Sequence, residues 1–112
     1  FSTVAVQTGM PYHTSIAMAK GAVEGLTRTL AAEWSPAIRV NCIAPSLTDT
    51  PLAAPMLSSD AKREAAAERH PLKAVGSADG VASLATWLLA GGSDFVTGQV
   101  YTADGGMGSI RK

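Results

Sequence analysis

The chain has 112 residues, with nine basic and nine acidic side chains split as three of each sign over residues 1–56 and six of each over 57–112. It therefore carries no basic patch for nucleic acid and no acidic tail. Hydrophobic residues make up 46% and charged residues 16%, the latter against about 25% in ordinary domains, which excludes a disordered chain. The length is that of one domain, and the apolar runs are too short and broken to span a membrane.

The first segment, Thr3-Val4-Ala5-Val6, is β-prone and breaks at Gly9 and Pro11. From Thr14 to Trp34 the period becomes helical, with Ile16, Val23, Leu26, Leu30 and Trp34 as the apolar stripe and Thr14 or Ser15 as the cap. Ala17, Gly21 and Gly25 form a second face of small residues. Glycine costs helix stability, so this face is expected to admit another element closely. Pro36 ends the helix. Ile38 to Ala44 is β-branched and bounded by Pro45, and reads as a strand.

Cys42 lies inside that strand as a small buried hydrophobe. As the only cysteine it leaves no internal disulfide and no cysteine cluster for zinc, so no metal site is expected. A lone cysteine and the lack of a secretory leader fit a reducing, cytoplasmic compartment. The turn-rich Ser46 to Pro51 follows, then a polar helix from Ser59 to Arg69 whose Lys62-Arg63-Glu64 run reads as a solvated face. Ser77-Ala78-Asp79 starts another helix, with Val81, Leu84 and Leu88 facing inward as far as Gly91-Gly92. Phe95 to Ala103 reads as the last strand, closed by the turn Asp104-Gly105-Gly106. Strands separated by helices need crossovers, so the class is α/β with a parallel sheet. Two strands and a stub make a poor sheet that wants more neighbours. With Phe1 rather than Met at the start, the chain is expected to be truncated.

Three places carry candidate chemistry. Lys20 sits on a largely apolar helix face, where its stem either covers apolar surface or its amine holds a ligand. The loop Pro45-Ser46-Leu47-Thr48-Asp49-Thr50 leaves the carboxyl end of a strand, where open α/β sheets bind ligands. Thr50 with Pro51 is equally suited to start a helix. His13 and His70, beside prolines, read as loop residues.

Ser2-Thr3-Val4-Ala5, the run from Ala19-Lys20-Gly21 to Ala32-Glu33, Ile38 to Pro45, Thr50-Pro51, and Val96-Thr97-Gly98-Gln99-Val100 through Asp104-Gly105-Gly106 follow one another in a recognisable order. The series resembles the carboxyl-terminal half of the short-chain dehydrogenase/reductase family. That resemblance implies a doubly wound, Rossmann-like sheet binding NAD or NADP and moving hydride between carbonyl and hydroxyl compounds. It makes residues 1–112 the carboxyl-terminal portion of a single domain, whose nucleotide-binding amino-terminal half, with its glycine-rich turn, is absent here and is the first partner expected. Residues 46–73 correspond to the family's variable substrate-covering segment.

The family's site is a Ser, a Tyr thirteen residues later and a Lys four residues after that. The resemblance puts Thr3 at the Ser, with Ser2 adjacent, Ile16 at the Tyr and Lys20 at the Lys. Thr3 keeps a hydroxyl to polarise a carbonyl. Ile16 has no ionisable proton, and a positioned general acid is worth about 10²–10⁴-fold. Tyr12 and His13 are the nearby groups that could substitute. The resemblance also sets Lys20 on the nicotinamide ribose, and Pro45, Ser46, Leu47, Thr48 and Thr50 against the carboxamide and nearby phosphate, with Pro45-Ser46 in place of the usual Pro-Gly. It implies a small-molecule carbonyl or alcohol substrate and a homo-oligomer, dimer or tetramer, joined through the long helix and the 78–103 unit. The rival expectation is a catalytically degenerate scaffold kept for nucleotide binding or dimerisation. These 112 residues alone are expected to be inactive and to associate through uncovered apolar surface.

Overall fold

The computed structural model describes residues 1–111. Its centre is β1, Cys42–Pro45, paired in parallel with β4, Val100–Ala103, in the register Cys42↔Val100 to Pro45↔Ala103. The consecutive residues Cys42, Ile43 and Ala44 are all buried, so both faces of the strand are covered. Both strands are shorter than their apolar runs. Ahead of them side chains replace the ladder: Val40 N–H donates to Thr97 Oγ1 (3.1 Å), Asn41 Nδ2 to the Val96 carbonyl (2.9 Å) and Gln99 N–H to Asn41 Oδ1 (3.1 Å). Phe95, expected to open the last strand, is fully exposed beyond the short 3-10 turn Gly91–Ser93.

The β-prone start is corrected to an extended stub followed by one helical turn, α1, Ala5–Thr8. Ser2 N–H donates to the Ile43 carbonyl (2.8 Å) and Val4 N–H to the Pro45 carbonyl (3.1 Å), the every-second-residue pattern of a parallel ladder. Pro45 has no N–H to return a bond, so the pairing is one-sided. The stub nevertheless lies along the edge of β1 that β4 leaves open.

The long helix α2 spans Thr14–Trp34, but its cap position is His13, and neither Thr14 nor Ser15 caps it. Its buried residues are Glu24, Thr27 and Ala31, not the expected apolar stripe. Ile16, Leu26 and Trp34 are exposed, because helical period identifies an apolar face without saying what covers it. The sheet side takes small residues instead: a Cβ on Gly98 would stand 3.6 Å from the Ala31 methyl. The close approach expected at Gly25 is absent, with nothing within 4 Å, and Gly21 meets only a Val6 methyl at 3.9 Å.

Beyond β1 the loop forms a second small parallel pair, β2 (Thr48–Asp49) with β3 (Gly76–Ser77), where only a turn was expected. A 3-10 helix, Pro51–Leu57, and α3, Asp60–Glu68, lie between them. Ala53, Leu57 and Ala66 form their core, against Leu47 and Val75. Ser59 caps α3 by accepting from Lys62 N–H (3.3 Å), and Ser77 caps α4, Ala78–Leu89, by accepting from Gly80 N–H (3.0 Å). Both helices start where the sequence places them, and Leu88 is buried with Val81 and Leu84 half-buried beside it.

The described surface is 7224 Å², against about 5800 Å² for a complete monomer of this mass. The radius of gyration is 15.1 Å, against about 13 Å for a compact domain of this length. Apolar side chains including Leu26, Leu52, Leu89 and Phe95 account for part of that excess surface.

Candidate functional site

The carboxyl end of β1, the stub before α1 and the loop before α2 converge on a cavity of about 750 Å³. Thr3, Tyr12, His13, Ser46, Leu47, Met56, Arg69 and Met107 are among its walls. Candidate residues far apart in sequence, Thr3, Tyr12, His13 and the first part of the 45–50 loop, are therefore brought to one place. Ile16 and Lys20 are not among the lining residues, and neither are Pro45, Thr48 and Thr50.

The two hydroxyls at the start of the chain are separated by their partners. Ser2 is buried and donates to Glu24 Oε1 at 2.6 Å, so its proton is committed. Thr3 is half-buried, and its Oγ1 accepts weakly from Ala5 N–H (3.4 Å). Among the described residues the Thr3 proton has no acceptor, so it is free to be donated to a carbonyl. Thr3 rather than Ser2 is thus the hydroxyl available to the cavity.

Tyr12 holds a positive φ of 63° and its ring is fully exposed at the rim. Beside it, His13 Nδ1 donates to the Pro11 carbonyl at 2.7 Å, which turns Nε2 outward from that bond. Ile16 is 39% exposed. Lys20 donates through Nζ to the Phe1 carbonyl at 3.1 Å. An ammonium has three protons, so others remain for a ligand.

The 45–50 loop is held by its own hydroxyls. Thr48 Oγ1 donates to the Ser46 carbonyl (3.1 Å) and Thr50 Oγ1 to the Thr48 carbonyl (3.4 Å). Thr50 occupies the cap position of the 3-10 helix with no side-chain capping bond, so only its backbone plays the expected starting role. Ser46 N–H donates to the Ala103 carbonyl (3.3 Å). With these protons spent, the loop offers acceptor oxygens. The hydroxyl oxygens can accept from the amide end of a nicotinamide, while the Leu47 and Thr50 N–H groups, which have no partner among the described residues, can donate to a carboxamide or phosphate oxygen.

His70, expected in a loop, is corrected to a fully buried residue, 1% exposed. Its Nδ1 donates to the Ala66 carbonyl (2.9 Å), and Ser46 Oγ lies 2.9 Å from Nε2. A carbonyl only accepts, so Nδ1 carries the proton and the Ser46 hydroxyl donates to a neutral Nε2. Nearby, the run Lys62-Arg63-Glu64 is exposed as expected, yet Arg63 reaches Asp49 Oδ2 at 2.7 Å. That hydrogen bond, reinforced by the Asp49 charge, raises the Arg63 guanidinium above its ordinary value. Cys42 is buried and free. Among the described residues no group of three or more His, Cys, Asp or Glu is arranged to hold a metal, and no helix is long and apolar enough to cross a membrane.

A parallel strand pair with helices on its crossovers, and a cavity at the carboxyl end of the strand, define an α/β fold of the Rossmann-like class. A family model described as enoyl-(acyl carrier protein) reductase matches residues 1–108. An inactive 2-(S)-hydroxypropyl-CoM dehydrogenase 2 of Xanthobacter autotrophicus is 39% identical over 115 residues, spanning 98% of this chain and 50% of that protein. A tropinone reductase homolog of Arabidopsis thaliana is 43% identical over 89 residues, 79% of this chain and 34% of the relative. A gluconate 5-dehydrogenase from Burkholderia cenocepacia, solved with NADP and tartrate, matches with a TM-score of 0.88 and 31% identity over 98% of this chain and 44% of its own. A 4-hydroxyisoleucine dehydrogenase complexed with NADH matches at 0.90 and 26% identity, over 98% and 46%. The chain belongs to the short-chain dehydrogenase/reductase family. It spans half or less of the length of these relatives.

Proposed function

We propose that this chain is the carboxyl-terminal, substrate-facing half of an NAD(P)-dependent oxidoreductase acting on small carbonyl or hydroxyl compounds. The observation that carries the reading is the shared cavity of Thr3, Tyr12, His13, Ser46 and Leu47. Nicotinamide supplies hydride when bound, and Ser46, Thr48 and Thr50 would meet its amide through their oxygens, with Lys20 toward the ribose. Thr3 donates its free proton to the substrate carbonyl and so holds the oxygen in place. Ile16 leaves the usual acid position without a proton, and Tyr12 or His13 at the cavity wall supplies it instead. Residues 46–73 cover the substrate. The intact protein contains the other half of the sheet and assembles as a homo-oligomer in the cytoplasm.

Hydride transfer by the intact protein across a panel of small ketones and secondary alcohols tests this reading. Turnover is expected, and Thr3→Ala should lower it about 10²-fold, the scale of losing one carbonyl-polarising donor. Nicotinamide binding without any turnover would overturn it. That outcome would favour the second reading, a degenerate scaffold that binds nucleotide or dimerises. Its supports are Ile16 at the acid position and the relative named inactive at 39% identity.

A further inference from the structure

Two cations among the described residues, Arg69 and Arg111, have side chains without a partner, and only Arg69 of the two lines the cavity of Thr3. Arg28 pairs with Glu24, Arg63 with Asp49 and Lys73 with Glu68. Arg39 donates to the Val96 and Leu88 carbonyls, Lys62 to Ser58 and Pro55, and Lys20 to Phe1. Among the described residues the Arg69 guanidinium has neither a hydrogen bond nor an ion pair. It is nonetheless a wall of the 750 Å³ cavity that holds Thr3, Tyr12 and His13.

The charge there is uncompensated. Among the described residues no Asp or Glu lines the cavity, and Arg69 is the one permanent charge in its wall. A neighbouring cavity of about 410 Å³ shares Arg69 and adds Arg111, while its Glu68 is already paired with Lys73. The helix dipole accounts for a cation at the end of α3. It does not require that cation to face the same space as a free Thr3 hydroxyl.

The base of the side chain is fixed. Arg69 follows the last turn of α3 and precedes His70, which is buried and bonded on both ring nitrogens. Leu72 N–H is tied to the Gly105 carbonyl at 3.1 Å. An exposed, unpartnered guanidinium on an anchored backbone, at the wall of a cavity that also holds methionine and leucine, suits a planar oxoanion. Its fork matches carboxylate geometry, and although the residue is exposed no protein acceptor among the described residues occupies it.

We propose that Arg69 selects the substrate: the compound oxidised or reduced in this cavity carries a carboxylate-type oxoanion, with its carbonyl or hydroxyl group toward Thr3 and its charged end on Arg69. The inference rests on the reading of the cavity as a carbonyl or hydroxyl site and names the class of compound it takes.

The test is a binding measurement on the intact protein that needs no turnover. 4-Oxopentanoate and its neutral methyl ester are titrated while ligand-induced shifts are followed by NMR. The anion is expected to bind roughly ten- to a hundredfold more tightly than the ester, the scale of a charge-assisted pair. Arg69→Gln should abolish that preference, Arg69→Lys should keep part of it, and Lys62→Gln, remote from the cavity, should leave it intact. Equal affinity for anion and ester, no saturable shift with the anion, or a preference that survives Arg69→Gln would each overturn the proposal. Turnover of neutral ketones without anion preference defeats the Arg69 assignment alone. Anion preference without turnover of any compound defeats the redox reading and leaves Arg69 as the anion site.

Discussion

Ser46 Oγ lies 2.9 Å from Nε2 of the buried His70, while Asp49, three residues on, is gripped by Arg63 at 2.7 Å. Both grips come from α3 or its carboxyl end, so the segment between β2 and β3 also holds the loop at the end of β1. One tie is buried and neutral, the other exposed and charged. They should fail in different ways.

His70→Ala removes a donor from the Ala66 carbonyl and an acceptor from the Ser46 hydroxyl, and leaves a void against Gly105. An unmet buried group plus a cavity costs about 3 kcal/mol. Ser46→Ala removes one hydrogen bond and should cost about 1 kcal/mol. Because the two residues share that bond, the double variant should lose less than the sum. Urea denaturation of the four proteins checks this, and strict additivity would mean that the contact carries no energy.

The Arg63–Asp49 pair behaves differently with pH. The hydrogen bond to Asp49, with the Asp49 charge, raises the Arg63 guanidinium above its ordinary value. A raised folded value gives stability that is fully present below the unfolded value and is lost only as pH rises through the folded one. The Arg63 contribution is therefore flat across the neutral range. Arg63→Gln should cause the same small stability loss at about pH 6 and about pH 9, smaller at high salt because the pair is exposed.

Two glycines give opposite expectations for the same substitution. Gly105 has φ +59°, and an added Cβ would meet the His70 Cβ at 3.3 Å. Gly105→Ala should destabilise by about 1–2 kcal/mol. Gly25 lies within α2 with nothing within 4 Å, so Gly25→Ala should gain about 0.5–1 kcal/mol from helix propensity. Thermal unfolding of each variant measures the sign directly. A loss at Gly25 would show that this face is covered in the intact assembly.

Those two glycines also mark what could be read from residues alone. Ser59 and Ser77 are legible as helix starts because a hydroxyl three residues before a helical N–H has a local job. The parallel arrangement is legible because helices separate the strands. The buried face of α2 is not, since Glu24 and Thr27 are polar and their burial depends on Ser2 and β1 arriving from elsewhere. His70 is missed for the same reason: its two partners, Ser46 and Ala66, meet only in the fold. Arg69 carries no local signal, because its distinction is an unpartnered guanidinium in the wall of a cavity that only the fold assembles.

The last expectation concerns the missing acid. If Thr3 and Lys20 stand where the family's Ser and Lys stand, Ile16 marks the place of a phenol one helical turn before Lys20. Ile16 is 39% exposed, so a larger ring can be accommodated there without displacing core. Ile16→Tyr should then raise the rate of hydride transfer about 10²–10⁴-fold over the parent, the usual worth of a positioned acid. Tyr12→Phe and His13→Ala, made in the parent, should each show whether that residue supplies the proton now. In the Ile16→Tyr background the same changes should lose their effect, since the new phenol takes over the transfer. Single-turnover kinetics separates this step from binding. An unchanged rate in Ile16→Tyr, with nucleotide still bound, would mean that the groups around position 16 no longer form a catalytic site.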